Sequence, residues 1–72
     1  MANTTMGFGD WLRFQVDRDD PVGDIARDLL EDQDAPRAME QRQEIEDYLH
    51  RIQASRQALA ALREAWDEWS GV

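Results

Sequence analysis

The sequence predicts an all-α fold, a compact bundle of about four short helices. Several segments repeat apolar residues at helical spacing, and no segment alternates apolar and polar residues as a half-buried strand does. A chain of 72 residues makes one small domain with a thin core. We therefore expect a flexible tail over residues 1–6 and a single helical domain over residues 7–70.

The first helix is predicted over about residues 8–16. Its apolar residues at helical spacing are Phe8, Trp11 and Leu12. Phe14 and Val16 widen this apolar face, and the polar run that follows is expected to end the helix.

The second helix is predicted over about residues 21–32. The Asp20 carboxylate can accept hydrogen bonds from the free N–H groups of the first turn, and Pro21 suits the first helical position. The apolar residues at i, i+3, i+4, i+7 and i+8 are Val22, Ile25, Ala26, Leu29 and Leu30.

Residues 37–70 contain no glycine or proline and leave two interpretations open. One is a single long helix, and the other is a pair of helices broken near residues 53–55. The first apolar stripe is Ile45, Tyr48, Leu49 and Ile52, and the second is Leu59, Leu62, Trp66 and Trp69. We favour two helices, because one long helix would leave a stripe unburied and because Ser55 can cap a second helix.

The core is expected to contain one large side chain or more from each predicted helix. These converging side chains are Trp11, Ile25, Leu29, Tyr48, Leu62 and Trp66. Trp69 lies near the end of the last helix, where a partly exposed indole would suit a contact with a partner.

The chain is strongly acidic, with 16 acids, 8 basic residues and a formal net charge of -8. Such a surface repels a phosphate backbone unless the arginines gather on one face, so direct binding of nucleic acid is disfavoured. The charge is concentrated in residues 1–36, which hold nine acids and three arginines. The candidate partner-binding residues are Asp17, Asp20, Asp24, Asp28, Glu31 and Trp69.

Four of these acids form a stripe on the second helix. Asp20, Asp24, Asp28 and Glu31 are spaced by four, four and three residues, so neighbouring carboxylates lie about 6 Å apart. The simplest interpretation is that acids near a helix start complement the helix dipole and keep the protein soluble. A second interpretation is that the stripe imitates the phosphates of a nucleic-acid strand.

No pattern of catalytic or metal-binding residues accompanies these acids. A calcium loop that starts at Asp17 would have Pro21 at position 5 and Val22 at position 6, where a ligand and a glycine are needed. His50 is the only histidine and the chain has no cysteine, so we expect no zinc site, no cofactor and no enzymatic activity.

No segment predicts contact with a membrane. The longest apolar run, residues 58–62, is far shorter than the ~20 residues that span a bilayer. The N-terminus has neither the basic nor the apolar region of a signal peptide, so we expect a cytoplasmic protein.

Several segments together resemble the YozE-like family of small bacterial proteins, which has a SAM-like (sterile alpha motif-like) fold. They are "FGDWL" at 8–12, "DRDDPVGDIARDLLED" at 17–32, Pro36, "EIEDYL" at 44–49 and "ALREAWDEW" at 61–69. Two positions depart from the family pattern. Ala35 stands where an aromatic residue is usual, and Gly7 where a serine-type cap is usual. The resemblance implies a SAM-like helical bundle and, from SAM domains at large, a protein-interaction module.

We therefore expect a non-enzymatic protein-interaction or regulatory module whose partner carries a basic surface. One alternative is a phage-type inhibitor that mimics nucleic acid and binds host nucleic-acid machinery through the acidic face. A second alternative is a nucleic-acid-binding SAM-like domain. Self-association through Arg51, Arg56 and Arg63 is a further option, which the net charge of -8 disfavours.

Overall fold

The computed structural model describes residues 6–71 and contains four α-helices within them. They are α1 (Phe8–Arg13), α2 (Pro21–Glu31), α3 (Arg42–Arg51) and α4 (Arg56–Ser70), and the described residues contain no strand. The all-helical bundle is confirmed. The predicted break near residues 53–55 is also confirmed, because residues 52–55 separate α3 from α4.

The longest helix, α4, contacts each of the other three, and its most extensive contact is with α2. These two helices begin in the way that the sequence predicts. The Asp20 carboxylate accepts a hydrogen bond from the Gly23 N–H at 3.0 Å, and the Ser55 hydroxyl accepts one from the Ala58 N–H at 3.1 Å. Both side chains satisfy N–H groups that the helix itself leaves unpaired.

The core draws on all four helices and on the link between α2 and α3. Its buried apolar residues are Phe8, Trp11, Leu12, Val22, Ile25, Ala26, Leu29, Ala35, Met39, Ile45, Tyr48, Leu49, Ala61, Leu62 and Ala65. Five of the six predicted core side chains are among them. The exception is Trp66, which is only half-buried and packs against the edge of the core.

The first helix is shorter than the sequence predicts, and two features of that prediction are wrong. α1 ends at Arg13, and Phe14 lies at its C-cap with 73% of its surface exposed. The guanidinium of Arg27 donates hydrogen bonds to the carbonyls of Val16 and Arg18, which holds this segment in a turn that leads into α2. Phe14 therefore does not widen the apolar face.

Residues 37–41 are not helical, so α3 begins later than a helix starting directly after Pro36 would. Met39 has a φ of 49° and a buried side chain. A left-handed conformation costs a non-glycine residue about 1–2 kcal/mol. Burial of the Met39 side chain offsets that cost, and the segment turns back toward the core.

Met6, the last residue of the predicted tail, contacts the helical domain. Its side chain packs against the core, and its carbonyl accepts a hydrogen bond from the Trp69 indole N–H at 2.8 Å. The rest of the predicted tail, residues 1–5, lies outside the described residues.

Candidate protein-interaction surface

A groove runs between α2 and α4. It is open to solvent, has a volume of about 490 Å³ and is lined by residues of both helices. The lining residues are Pro21, Asp24, Ile25, Asp28, Ser55, Gln57, Ala58, Ala60, Ala61 and Glu64. The alanines of α4 have short side chains, and this leaves space above Ile25 that larger residues would fill.

A second depression extends the groove toward the end of α3. Its residues are Ile25, Asp28, Leu29, Glu31, Asp32, Tyr48, Leu49, Ile52, Ala54 and Ala58. The two depressions share Ile25, Asp28 and Ala58, so they form one continuous surface, which we call the α2 groove. At its far end Ile52 is 49% exposed, one of two large apolar side chains that the described residues leave exposed.

The rim of the α2 groove is acidic on both sides. α2 and its C-cap contribute Asp24, Asp28, Glu31 and Asp32, and α4 contributes Glu64. No lysine, arginine or histidine lines the groove within the described residues. Two arginines lie just outside the lining: Arg27 pairs with the rim residue Asp24, and the guanidinium carbon of Arg51 lies 5.8 Å from the centre of the Tyr48 ring.

The five rim carboxylates differ in how far the protein itself engages them. Asp24 forms an ion pair with Arg27, and Asp32 accepts a hydrogen bond from the Tyr48 hydroxyl. Asp28, Glu31 and Glu64 make no side-chain hydrogen bond or ion pair within residues 6–71 and are exposed. These three carboxylates are therefore available to an external cation.

Asp20 does not join this groove, although it belongs to the predicted stripe. Its carboxylate caps α2 and also pairs with Arg18 at 2.8 Å, and the same arginine binds Glu68 of α4 at 2.7 Å. The hydrogen bonds from Arg18 and from the Gly23 N–H hold the pKa of Asp20 below its usual value. In turn, the hydrogen bonds to Glu68 and then Asp20 raise the pKa of Arg18. We call Arg18, Asp20 and Glu68 the Arg18 clamp.

The other two predicted site residues also lie away from the α2 groove. Asp17 is exposed in the turn before α2. Trp69 is half-buried at the end of α4, where its ring packs edge-on against Phe8 and Trp66 with centroids 5.8 and 5.1 Å away. These contacts and the hydrogen bond to Met6 give Trp69 a structural role at the N-terminal segment.

Sequence analysis did not identify the apolar part of this surface. The helical spacing predicts Ile52 in the buried stripe of α3, but Ile52 follows the last helical residue, Arg51, and turns outward. Ala58 and Ala61 carry a weak signal, since their spacing of three residues places small side chains on one face of α4.

The described residues offer no alternative kind of site. Among them, no group of three or more His, Cys, Asp or Glu side chains is arranged to hold a metal ion. None of the helices in this part of the chain has the length and apolarity to cross a membrane.

Comparison with known proteins identifies the family. The family model described as YozE SAM-like fold matches residues 7–71, nearly the whole chain. No curated protein and no solved structure matches this chain. The match spans all four helices and both walls of the α2 groove, and the chain therefore belongs to the YozE SAM-like family.

Proposed function

We propose that this protein is a small non-enzymatic interaction module that binds a protein partner with a basic surface through the α2 groove. The observation that carries the proposal is the composition of the groove, which has five rim carboxylates, an apolar floor and no basic residue in its lining. Other acids, such as Asp20 and Glu68, are already held by Arg18.

The position of the free acids supports the same proposal. Asp28 and Glu31 lie in the last turn of α2, which contains no basic residue. Carboxylates at a helix C-terminus oppose the helix dipole, by about 0.3–1 kcal/mol each. The dipole explanation that suits Asp20 and Asp24 does not account for them, and a cationic partner would remove the unfavourable interaction.

The proposal has consequences for binding kinetics. An acidic surface attracts a basic partner over a Debye length of about 8 Å at physiological salt and raises the association rate. Charge complementarity of this kind acts mainly on specificity and association rate. We expect the partner to be a bacterial or phage cytoplasmic protein.

Mimicry of nucleic acid is the second candidate. Asp24, Asp28 and Glu31 keep spacings of four and three residues along one side of α2, about 6 Å per turn. However, Arg27 neutralises Asp24, which interrupts the row of charges. The apolar floor and the exposed Ile52 also favour contact with apolar side chains of a protein over contact with a site that binds phosphates.

A capture experiment from bacterial lysate at low and high salt tests the proposal. The test variant is Asp28→Lys/Glu31→Lys, and the control is Asp10→Lys/Glu40→Lys. Both replace two exposed carboxylates that make no side-chain hydrogen bond or ion pair within residues 6–71, and both change the net charge equally. We expect the test variant to lose a partner that wild type and control retain, and high salt to weaken that capture.

Equal capture by the two double variants would contradict the proposal, because net charge alone would then account for binding. The identity of the partner separates the two candidates. A nuclease, polymerase or other nucleic-acid-binding protein whose nucleic acid competes with this chain would support mimicry.

A further inference from the structure

We propose that the occupant of the α2 groove is a basic amphipathic helix of the partner, with its apolar face on the groove floor and its cations against the acidic rim. This inference rests on the proposed function and specifies the chemistry of the partner. It follows from the shape of the groove, from the distribution of apolar surface along it and from the placement of the carboxylates on both walls.

The shape of the groove suits a helix. Its α2 wall extends over the 11 residues of that helix, a length of about 16 Å or three turns. The opposite wall is α4, with the end of α3 beyond it. A cleft between helices accepts the ridge of side chains on a third helix, and helix-in-groove binding is a common mode of peptide recognition.

The apolar surface is distributed along the groove rather than gathered in one deep pocket. Ala58 and Ala60 lie opposite the first half of α2, and Ile52 lies at the far end. A binding helix would place apolar residues at i, i+3 or i+4, and i+7 along this line. An enclosed apolar pocket, which a small molecule requires, is not what these two open depressions provide.

The carboxylates flank this apolar line on both sides. Asp28 and Glu31 stand on α2, and Glu64 stands on α4. A helix with lysine or arginine on both borders of its apolar face would pair with them, while the long aliphatic parts of those side chains cover the alanines. The groove does not suit an extended peptide that binds by strand addition, because the described residues contain no sheet edge to which such a strand could add.

Two synthetic peptides test the inference directly. One is a helical peptide of about 14 residues, long enough for the groove, with leucines on one face and lysines on the remainder. The other has the same composition in a scrambled order that destroys the apolar face. Binding is measured by fluorescence anisotropy at physiological salt, and the site is mapped by amide chemical shifts.

Wild-type protein should bind the amphipathic peptide at least about tenfold more tightly than the scrambled one, and the shifts should cluster at Ile52 and Ala58. Ala58→Leu should remove this preference, because it fills the groove without changing its charge. The matched control is Ala38→Leu, which changes an exposed alanine outside the groove and should retain the preference. Circular dichroism and unfolding midpoints confirm that both variants fold.

Three results of the peptide measurements would overturn the inference. They are equal binding of the two peptides, an unchanged preference in Ala58→Leu, and no binding of either peptide. Equal binding would leave the proposed function intact, since charge alone would then hold the partner. A different result would contradict the proposed function, namely that Asp28→Lys/Glu31→Lys leaves capture of the partner from lysate unchanged. A concentration-dependent dimer that Ala58→Leu abolishes would identify a second copy as the occupant and would also overturn the inference.

Discussion

The two ends of α2 carry similar numbers of acids in different environments. At the N-terminal end, Asp20 caps the helix and belongs to the Arg18 clamp, which ties the entry of α2 to Glu68 of α4. At the C-terminal end, Asp28 and Glu31 face an open groove and have no partner within residues 6–71. The first group contributes to folding, whereas the second is available for binding. A count of charges along the sequence does not distinguish them.

The largest expected effect comes from the apolar side of α2, which both ends share. Leu29 is 2% exposed in the core beneath the acidic groove. Leu29→Ala should lower the free energy of unfolding by about 2–5 kcal/mol, the range for truncation of a buried leucine. In so small a domain this is a large fraction of the total stability. Urea unfolding measures the loss.

The neighbouring Leu30→Ala is the matched control for that measurement. Leu30 is only half-buried, so its truncation should cost clearly less. Equal losses at the two positions would show that α2 does not present Leu29 to the core as described.

The second-largest loss of stability is expected from Gly23→Ala, near the N-terminal end of α2. A Cβ atom at Gly23 would lie 2.0 Å from the carbonyl oxygen of Arg18 and 2.7 Å from its carbonyl carbon. These are backbone atoms, so Gly23→Ala must displace the turn that carries the clamp. We expect a loss of about 1–3 kcal/mol, as for other overpacked sites.

Gly7→Ala provides the control for the glycine change, since a Cβ there meets nothing within 4 Å. Gly7 is the N-cap of α1 with a φ of -68°, so the poorer capping by alanine is partly offset by the lower entropy of the unfolded chain, and the net loss should stay below about 1 kcal/mol. Thermal unfolding of the two variants compares them. A Gly23→Ala protein as stable as the Gly7→Ala protein would show that the turn yields without cost.

The success of the fold prediction depended on local signals that tertiary contacts reinforce. Asp20 and Pro21 mark the start of α2 in the sequence, and in the structure Asp20 caps the helix and Pro21 is its first residue. The end of α1 was wrong, because it is decided by Arg27, a residue of the next helix that binds the carbonyls of Val16 and Arg18. The left-handed conformation of Met39 also depends on a tertiary contact and gives no signal in the sequence. Burial of the Met39 side chain offsets the free-energy cost of its backbone conformation.

The candidate site was predicted only in part. The helical spacing of Asp24, Asp28 and Glu31 placed them on one side of α2, where the structure also has them. The groove beside them depends on the distance between α2 and α4 and on the outward turn at Ile52. Neither follows from periodicity, because the distance is set by how two helices distant in sequence pack and the turn by the residue at which α3 ends. The pairing of Asp20 with Arg18 was missed although they are two residues apart, since charge spacing does not show which acid an arginine binds.

A third prediction uses pH to isolate the clamp. The folded-state pKa of Asp20 lies below its ordinary value of 3.8, so its charged form stabilises the fold. This contribution is present above the unfolded-state pKa and is lost as the pH falls through the lower folded-state value. Asp20→Asn should therefore be less stable than wild type at neutral pH, and the difference should close in acid.

Removal of Arg18 separates the ion pair of Asp20 from its role as a cap. In an Arg18→Met background the neutral-pH cost of Asp20→Asn should shrink, because the largest cause of the lowered pKa is gone. Urea midpoints of the four proteins across the acidic range supply the double-mutant cycle. A cost of Asp20→Asn that is unchanged in the Arg18→Met background would show that the cap, not the ion pair, accounts for Asp20.

The smallest effect on stability is expected from removal of the two free carboxylates at the C-terminal end of α2. Asp28→Asn/Glu31→Gln removes two carboxylates that have no hydrogen bond or ion pair within residues 6–71. The change also relieves repulsion between acids three residues apart and their unfavourable position near the helix C-terminus. The double variant should therefore be as stable as wild type or more stable by up to about 0.5 kcal/mol, while it binds the amphipathic peptide more weakly. Unfolding and anisotropy of the same preparation give both values. A clear loss of stability would place these acids in the folding group with Asp20, and unchanged peptide binding would remove them from the interaction surface.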